Sequence, residues 1–274
     1  MVVLVRDRTP DWVTSGMEIV RGDVEALTPW EAVLDRVDAV CHLAARIPLD
    51  MTDASEAGAC IGTNALATLN IARRLRPGVR FVWTSSGNAA PPGVSEPTEE
   101  TPPYPVGHAP WYLASKAVGE IWVEHLRRAG LLDAITLRVA SVYGPGMPAR
   151  SVTAHFVEAA CGARTLSVSD EGRTTLDLVY VDDVVSALVD AVVGRGAAGV
   201  YNVASGTATS VLALARTVSD VFAGGRATIE VAPASGSAQT GFAALPTARA
   251  TAAFPSFRPR SLREGLAAWK QEIS

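Results

Sequence analysis

The sequence predicts an α/β fold, a doubly wound parallel sheet carrying a smaller C-terminal cap, and three observations support this. Apolar runs of four to seven residues alternate with longer stretches of helical period, as expected of parallel strands buried on both faces. The helical stretches end at breakers, Pro77-Gly78 and Gly130. The chain has 274 residues, 48% hydrophobic and 19% charged, enough for a core unit plus a cap.

In order along the chain, strands are expected at Val2–Val5, Met17–Val20, Ala39–Leu43, Arg80–Thr84, Ile135–Val139 and Leu176–Val179. Between the third and fourth, Ala57–Leu75 repeats apolar residues at Ile61, Ala65, Leu69 and Ala72, one face of a helix, with Arg73, Arg74 and Arg76 suiting its C-terminal end. Trp111–Ala129 is the second long helix, and Asp182 reads as the N-cap of a third through Val184, Leu188 and Val192. The linker Ala89–Pro110 holds seven prolines and is expected to be an ordered loop over a site. The pattern loosens after Pro145. This divides the chain into a core of residues 1–147 with 172–206 and a cap of residues 148–171 with 207–274.

A net charge of −4, with no basic run, excludes nucleic acid as an expected partner. No apolar run reaches membrane-spanning length, and the first residues lack the form of a secretion signal, so a cytoplasmic location is expected. Cys41, Cys60 and Cys161 are odd in number and widely spaced, which reads as buried thiols in a reducing compartment and not as disulfides or a metal cage; no metal is expected.

Tyr112-Leu-Ala-Ser-Lys116 places a phenol and an ammonium one helical turn apart, where the cation favours the phenolate and makes Tyr112 an acid/base. A free phenol titrates near pKa ~10, so a drop of ~3 units asks for about 4 kcal/mol of differential stabilisation. The chain has only two lysines, Lys116 and Lys270, so a chance Tyr-x-x-x-Lys has odds of roughly 4%. Ser86 follows the Phe81–Thr84 run, which sets a hydroxyl at the carboxyl edge of a strand, where ligands of open α/β sheets bind. A turn-forming hydroxyl is the alternative.

Read together, the motifs resemble the NAD-dependent epimerase/dehydratase branch of the extended short-chain dehydrogenases/reductases. They run in order as Arg21-Gly-Asp23-Val24, Asp38-Ala-Val-Cys-His42-Leu-Ala44-Ala45, Asn64, Thr84-Ser-Ser86, Tyr112-x-x-x-Lys116, Leu137-Arg138 with Val142-Tyr-Gly-Pro145, Val179-Tyr-Val-Asp-Asp183 and Val200-Tyr-Asn202. Ser261-Leu-Arg-Glu-Gly265-Leu and Trp269 are similar to the family's closing helix. The resemblance implies a Rossmann-like core, with Asp23 and Val24 beside adenine, Leu43, Ala44 and Ala45 lining the cofactor groove and Asn64 supporting the site. It implies that Ser86 bonds the reacting oxygen, Tyr112 exchanges its proton, and Lys116 binds the nicotinamide ribose while lowering the phenol's pKa. His108 and Trp111 are expected to face the substrate, with a plain loop histidine as the alternative for His108.

The family's opening strand, glycine-rich turn and helix have no counterpart here, and Met1–Arg8 resembles its second strand. Gly194-Arg-Gly196-Ala-Ala-Gly199 and Gly144-Pro-Gly146-Met-Pro-Ala149 imitate the turn, but the first sits between helix and strand, and the prolines of the second remove donors a phosphate needs. A sheet without that central strand has two open ladders. Either the start is internal to a longer gene product, or Val2–Val5 moves inward or pairs with another subunit; a homodimer is compatible with this. Arg6 and Arg8 follow Val2–Val5 where an acidic residue would bind a ribose 2′-OH, so NADP is expected over NAD, bound weakly or not at all by the chain as given. Leu176 stands where the family's sugar-nucleotide enzymes carry an arginine, which disfavours a sugar-nucleotide substrate.

These readings imply an oxidoreductase or epimerase-like enzyme acting on a small hydroxyl or carbonyl compound. Two alternatives stay open: a cofactor-independent lyase, dehydratase or cyclase of secondary metabolism on the same scaffold, and a non-catalytic binding subunit.

Overall fold

The computed structural model describes residues 1–28, 30–106, 109–234 and 241–273. The chain opens with β1 (Val2–Val5) and β2 (Glu18–Arg21), paired in parallel with Val2 opposite Glu18. Then come β3 (Ala39–His42), α1 (Ala57–Ile61), a π turn over Gly62–Leu66, and α2 (Ala67–Arg74). Next are β4 (Arg80–Ser86), α3 (Pro110–Arg128), β5 (Asp133–Val139), β6 (Ser141–Tyr143) and α4 (Val152–Cys161). β7 (Leu166–Val168), β8 (Thr175–Tyr180), α5 (Val181–Val192) and β9 (Gly199–Val203) follow. The chain closes with β10 (Ala208–Ser210), α6 (Val211–Ala223), β11 (Ile229–Val231), α7 (Ala248–Ala253) and α8 (Leu262–Ile273).

The central sheet has the order β3-β4-β5-β9 with every pair parallel. Alternation along β4 divides its side chains between two faces. Phe81 and Trp83 pack with Ile71 of α2 and Val123 of α3, while Val82 joins Val184, Ala187 and Ala191 of α5. Helices therefore cover both faces of a parallel sheet, which is the doubly wound plan. A further cluster draws Phe156, Leu166, Leu214, Val218, Leu266 and Trp269 around Tyr143 and Tyr180.

Three sequence expectations are corrected. The helix expected over Ala57–Leu75 is interrupted by the π turn, where the side chain of Asn64 is bonded to a neighbouring loop and to α3. Asp182 is not an N-cap: the cap position is Tyr180, and Asp182 and Asp183 lie in the first turn, where carboxylates favour the helix dipole. Cys60 is buried as expected, whereas Cys41 and Cys161 are exposed. Cys41 alternates with core-facing Val40 on β3 and so points to the opposite face.

Among the described residues β1 pairs only with β2, and β3 only with β4, so each has one edge without a strand partner. Leu4 and Val20 still pack into the cluster holding Val40, Phe81 and Trp83, which keeps the two-stranded sheet on the same core. Val185, Val189 and Val193 form an exposed stripe along α5 and its C-terminal cap.

The seat of α3 is fixed by a buried ion pair. Arg138 of β5 donates from Nε and Nη2 to Oε1 of Glu120 at 3.0 and 2.5 Å, with both residues under 10% exposed. Its Nη1 donates to the carbonyl of Thr98, tying the proline-rich loop to the same arginine. Beside it, a Cβ on Gly119 would lie 2.9 Å from both the Asn64 carbonyl oxygen and the Trp83 ring, so only glycine lets α3 come this close. Removing one member of a buried pair strands the other's charge, so Glu120→Ala should cost about 3–5 kcal/mol of unfolding free energy. Chemical denaturation checks this, and a loss under about 1 kcal/mol, as for an exposed pair, would show that the pair does not hold α3.

Candidate active site

Parallel strands end at a common edge, and the candidate residues collect there. Ser86 closes β4 and is buried. The chain must turn at once beneath Leu245, because a Cβ on Gly87 would stand 2.2 Å from its Cδ1. Leu245 is held in turn by Asp177 of β8, whose carboxylate accepts from the backbone N–H groups of Leu245, Ser205 and Gly206 at 2.8–3.1 Å and from the Ser205 hydroxyl at 2.7 Å.

On α3, which begins with Pro110 at its first position, Tyr112 lies in the first turn and Lys116 one turn on. Lys116 is 2% exposed; its Nζ donates to the Thr84 carbonyl at 2.8 Å and sits 5.1 Å from the centroid of the Trp83 ring. Burial pulls this ammonium down to about 8. The Tyr112 phenol is pushed up to about 12, first by burial and then by the Cys60 thiol. This runs opposite to the depressed phenol expected from the sequence: burial outweighs any effect of Lys116, whose Nζ donates to a β4 carbonyl. Among the described residues no hydrogen bond joins the Tyr112 phenol, the Ser86 hydroxyl and Lys116 Nζ to one another.

Asn64 organises the surroundings. Its Oδ1 accepts from the Arg46 N–H at 2.7 Å, and its Nδ2 donates to the Arg46 carbonyl at 3.0 Å and to Ser115 Oγ at 2.8 Å. Ser115 donates to the Tyr112 carbonyl at 2.6 Å, so the π turn, the loop after β3 and the first turn of α3 form one hydrogen-bonded unit. Thr68 uses its hydroxyl proton on the Asn64 carbonyl, so it accepts from His42 Nε2 at 3.0 Å. His42 is held down to about 3 by burial and then by the Lys116 charge, and is neutral with its proton on Nε2.

The cofactor residues expected from the sequence lie at the ends of β1, β2 and β3. Arg6 pairs with Asp7 at 2.9 Å and feels the charges of Asp23 and Arg46, which places the three near one another. Asp23 accepts from the Glu25 N–H, and the half-buried side chain of Val24 packs against the core. Leu43 and Ala44 are exposed and Ala45 is half-buried. Trp111 is tied through its indole N–H to the Thr52 carbonyl at 3.1 Å, a brace for the loop after β3. His108 lies outside the described residues. Sequence reasoning missed Ser115, Arg46 and the Glu120–Arg138 pairing, although Ser115 stood inside the Tyr112–Lys116 motif and Arg138 inside the Leu137-Arg138 motif.

These residues fit the nicotinamide end of a dinucleotide. Among the described residues the buried Lys116 ammonium, with three N–H donors, is bonded to one acceptor, which leaves donors for ribose hydroxyls. Exposed Leu43 and Ala44 offer an apolar floor. The diphosphate is less well served: Gly194–Gly199 connects α5 to β9, the reverse of strand-turn-helix order, and Gly144–Ala149, between β6 and α4, carries Pro145 and Pro148, which lack the N–H donors a phosphate needs. A nicotinamide bound here would supply or accept hydride beside Tyr112.

A tyrosine and lysine one turn apart on a helix laid over a parallel sheet define an α/β enzyme of the short-chain dehydrogenase/reductase class. The chain belongs to the NAD dependent epimerase/dehydratase family, whose model matches residues 2–204. It is 36% identical over 182 residues to the UDP-glucose 4-epimerase of Mycolicibacterium smegmatis, covering 63% of this chain and 56% of that one. It is 30% identical over 205 residues to the dTDP-glucose 4,6-dehydratase of Streptomyces niveus, covering 73% and 59%. The chain thus spans somewhat over half the length of these relatives. Its fold resembles that of the UDP-glucose 4-epimerase of Thermotoga maritima solved with UDP-glucose, with a TM-score of 0.81, 23% identity, and 100% of this chain and 91% of that one covered.

A raised phenol has a direct optical consequence. Difference absorbance of the phenolate, wild type against Tyr112→Phe without ligand, should show no Tyr112 component below about pH 10, since the group titrates at about 12. A component with a midpoint near 7 would mean that Lys116 governs the phenol without any ligand.

Proposed function

We propose that this chain catalyses acid/base chemistry at the C–OH or C=O carbon of a small molecule, with Tyr112 exchanging the proton on the substrate oxygen and a nicotinamide as hydride partner. The observation that supports this most is the pairing of a phenol at about 12 with a buried ammonium at about 8 on one helix face at the carboxyl edge of the sheet. At neutral pH the phenol carries its proton and is ready to donate it to a developing alkoxide. Lys116, one helical turn away, supplies a positive charge that stabilises the phenolate formed as that proton leaves. Ser86, at the end of β4, provides the second hydroxyl for the substrate oxygen.

In this reading the dinucleotide is NADP, met by Arg6, and it binds weakly because its diphosphate finds no glycine-rich turn in residues 1–274. Each lost charge-assisted hydrogen bond is worth about 1.5–3 kcal/mol.

The test is a screen of small alcohols and ketones with NAD, NADP or no nucleotide, repeated with Tyr112→Phe. Any activity found should fall about 10²–10⁴-fold in a folded Tyr112→Phe protein, the usual loss of a general acid/base. Wild-type-like turnover by that variant would remove Tyr112 from the mechanism. Calorimetry gives the cofactor arm: a dissociation constant for NADP tighter than about 1 μM, or about −8 kcal/mol, would contradict weak binding.

A further inference from the structure

Next to Ser86, between the proline-rich loop and the segment after β11, lies a cleft of about 640 Å³. Asn88 and Val94 form one wall, Val106 and Leu113 border α3, and Thr175 and Phe242 close the far side. The size falls within the range usual for small-molecule sites, about 300–1,000 Å³. Among the described residues no charged side chain lines it.

Two of its polar side chains are already engaged: Thr175 donates to the Phe242 carbonyl at 3.1 Å, and Asn88 to Ser141 Oγ at 3.4 Å. Two arginines nearby in the chain are also committed elsewhere. Arg138 is turned to Glu120 and the Thr98 carbonyl, and Arg173 pairs with Glu171 at 3.0 Å on the surface. Leu176 points its side chain into the cluster around Tyr143 and Tyr180 and brings no cation either. A nucleoside diphosphate carries at least two negative charges, and burying them without cationic partners is strongly unfavourable. Proline, valine, leucine and phenylalanine walls suit the opposite ligand. The far wall at 241–244 lies beyond residue 204, where the family match ends.

We propose that this cleft takes an uncharged, mainly apolar compound bearing one hydroxyl or ketone, and not a nucleoside diphosphate sugar. The proposal rests on the acid/base reading of Tyr112 only for the position of the reacting oxygen.

The experiment is calorimetric titration of the whole chain with cyclohexanol, 2-decalone and a 3-hydroxysteroid as neutral probes, and with UDP-glucose as the charged one. The titrations are repeated in Val94→Trp and Ala244→Trp, which fill the cleft from opposite sides. At least one neutral probe should bind below about 1 mM and weaken about tenfold or more in a folded blocking variant, with UDP-glucose giving no heat at that concentration. UDP-glucose binding that either blocking variant abolishes would overturn the proposal, as would neutral probes that do not bind or that ignore both variants. A charged sugar turned over in a Tyr112-dependent way would overturn this substrate class and leave the acid/base role standing. Turnover of a neutral probe that survives Tyr112→Phe would do the reverse.

Discussion

The close seat of α3 on β4 and β5 is the constraint on which the rest of the site depends. It requires Gly119, which lets the helix backbone touch Trp83 and the Asn64 carbonyl, and the buried Glu120–Arg138 pair, which locks its axial position. That seat delivers Lys116 to the Thr84 carbonyl and sets Tyr112 one turn earlier. Arg138 also holds the proline-rich loop, so the element that positions Tyr112 also shapes the wall of the neighbouring cleft.

The electrostatics follow from burial more than from pairing. Lys116 and His42 are both held below their ordinary values by the same dry environment, and Tyr112 is held above its own. Burying an ammonium is costly, and Lys116 offsets part of that cost through the Thr84 carbonyl and the Trp83 ring. Neutral His42 and the Thr68–Asn64–Ser115 hydrogen bonds lie behind it and carry no charge that would cancel its own.

Much of the fold was legible because strand and helix periods are local. Val2–Val5 was read to the residue, and β3, β4 and β5 of the central sheet fell within two residues of their observed bounds, whereas its fourth strand, β9, had no expected range. β6, β7, β10 and β11 have three residues each, too few to show a period of two. The π turn was hidden because its cause is a tertiary one, the grip of Asn64 on Arg46 and Ser115. The site was legible as a motif but not as a state. Four-residue spacing says that Tyr112 and Lys116 share a helix face; it does not say that a β4 carbonyl competes for the ammonium.

The central claim is that Lys116 is buried as a poised cation against Trp83 and the Thr84 carbonyl, and lysine-selective NMR tests it with little ambiguity because the chain has only two lysines. A pH titration of ¹³Cε-labelled protein, assigned with Lys116→Arg, should give a Lys116 signal displaced by the Trp83 ring and titrating at about 8. A Lys116 signal without ring displacement, titrating at the ordinary value of 10.5, would place this side chain in water and contradict the account.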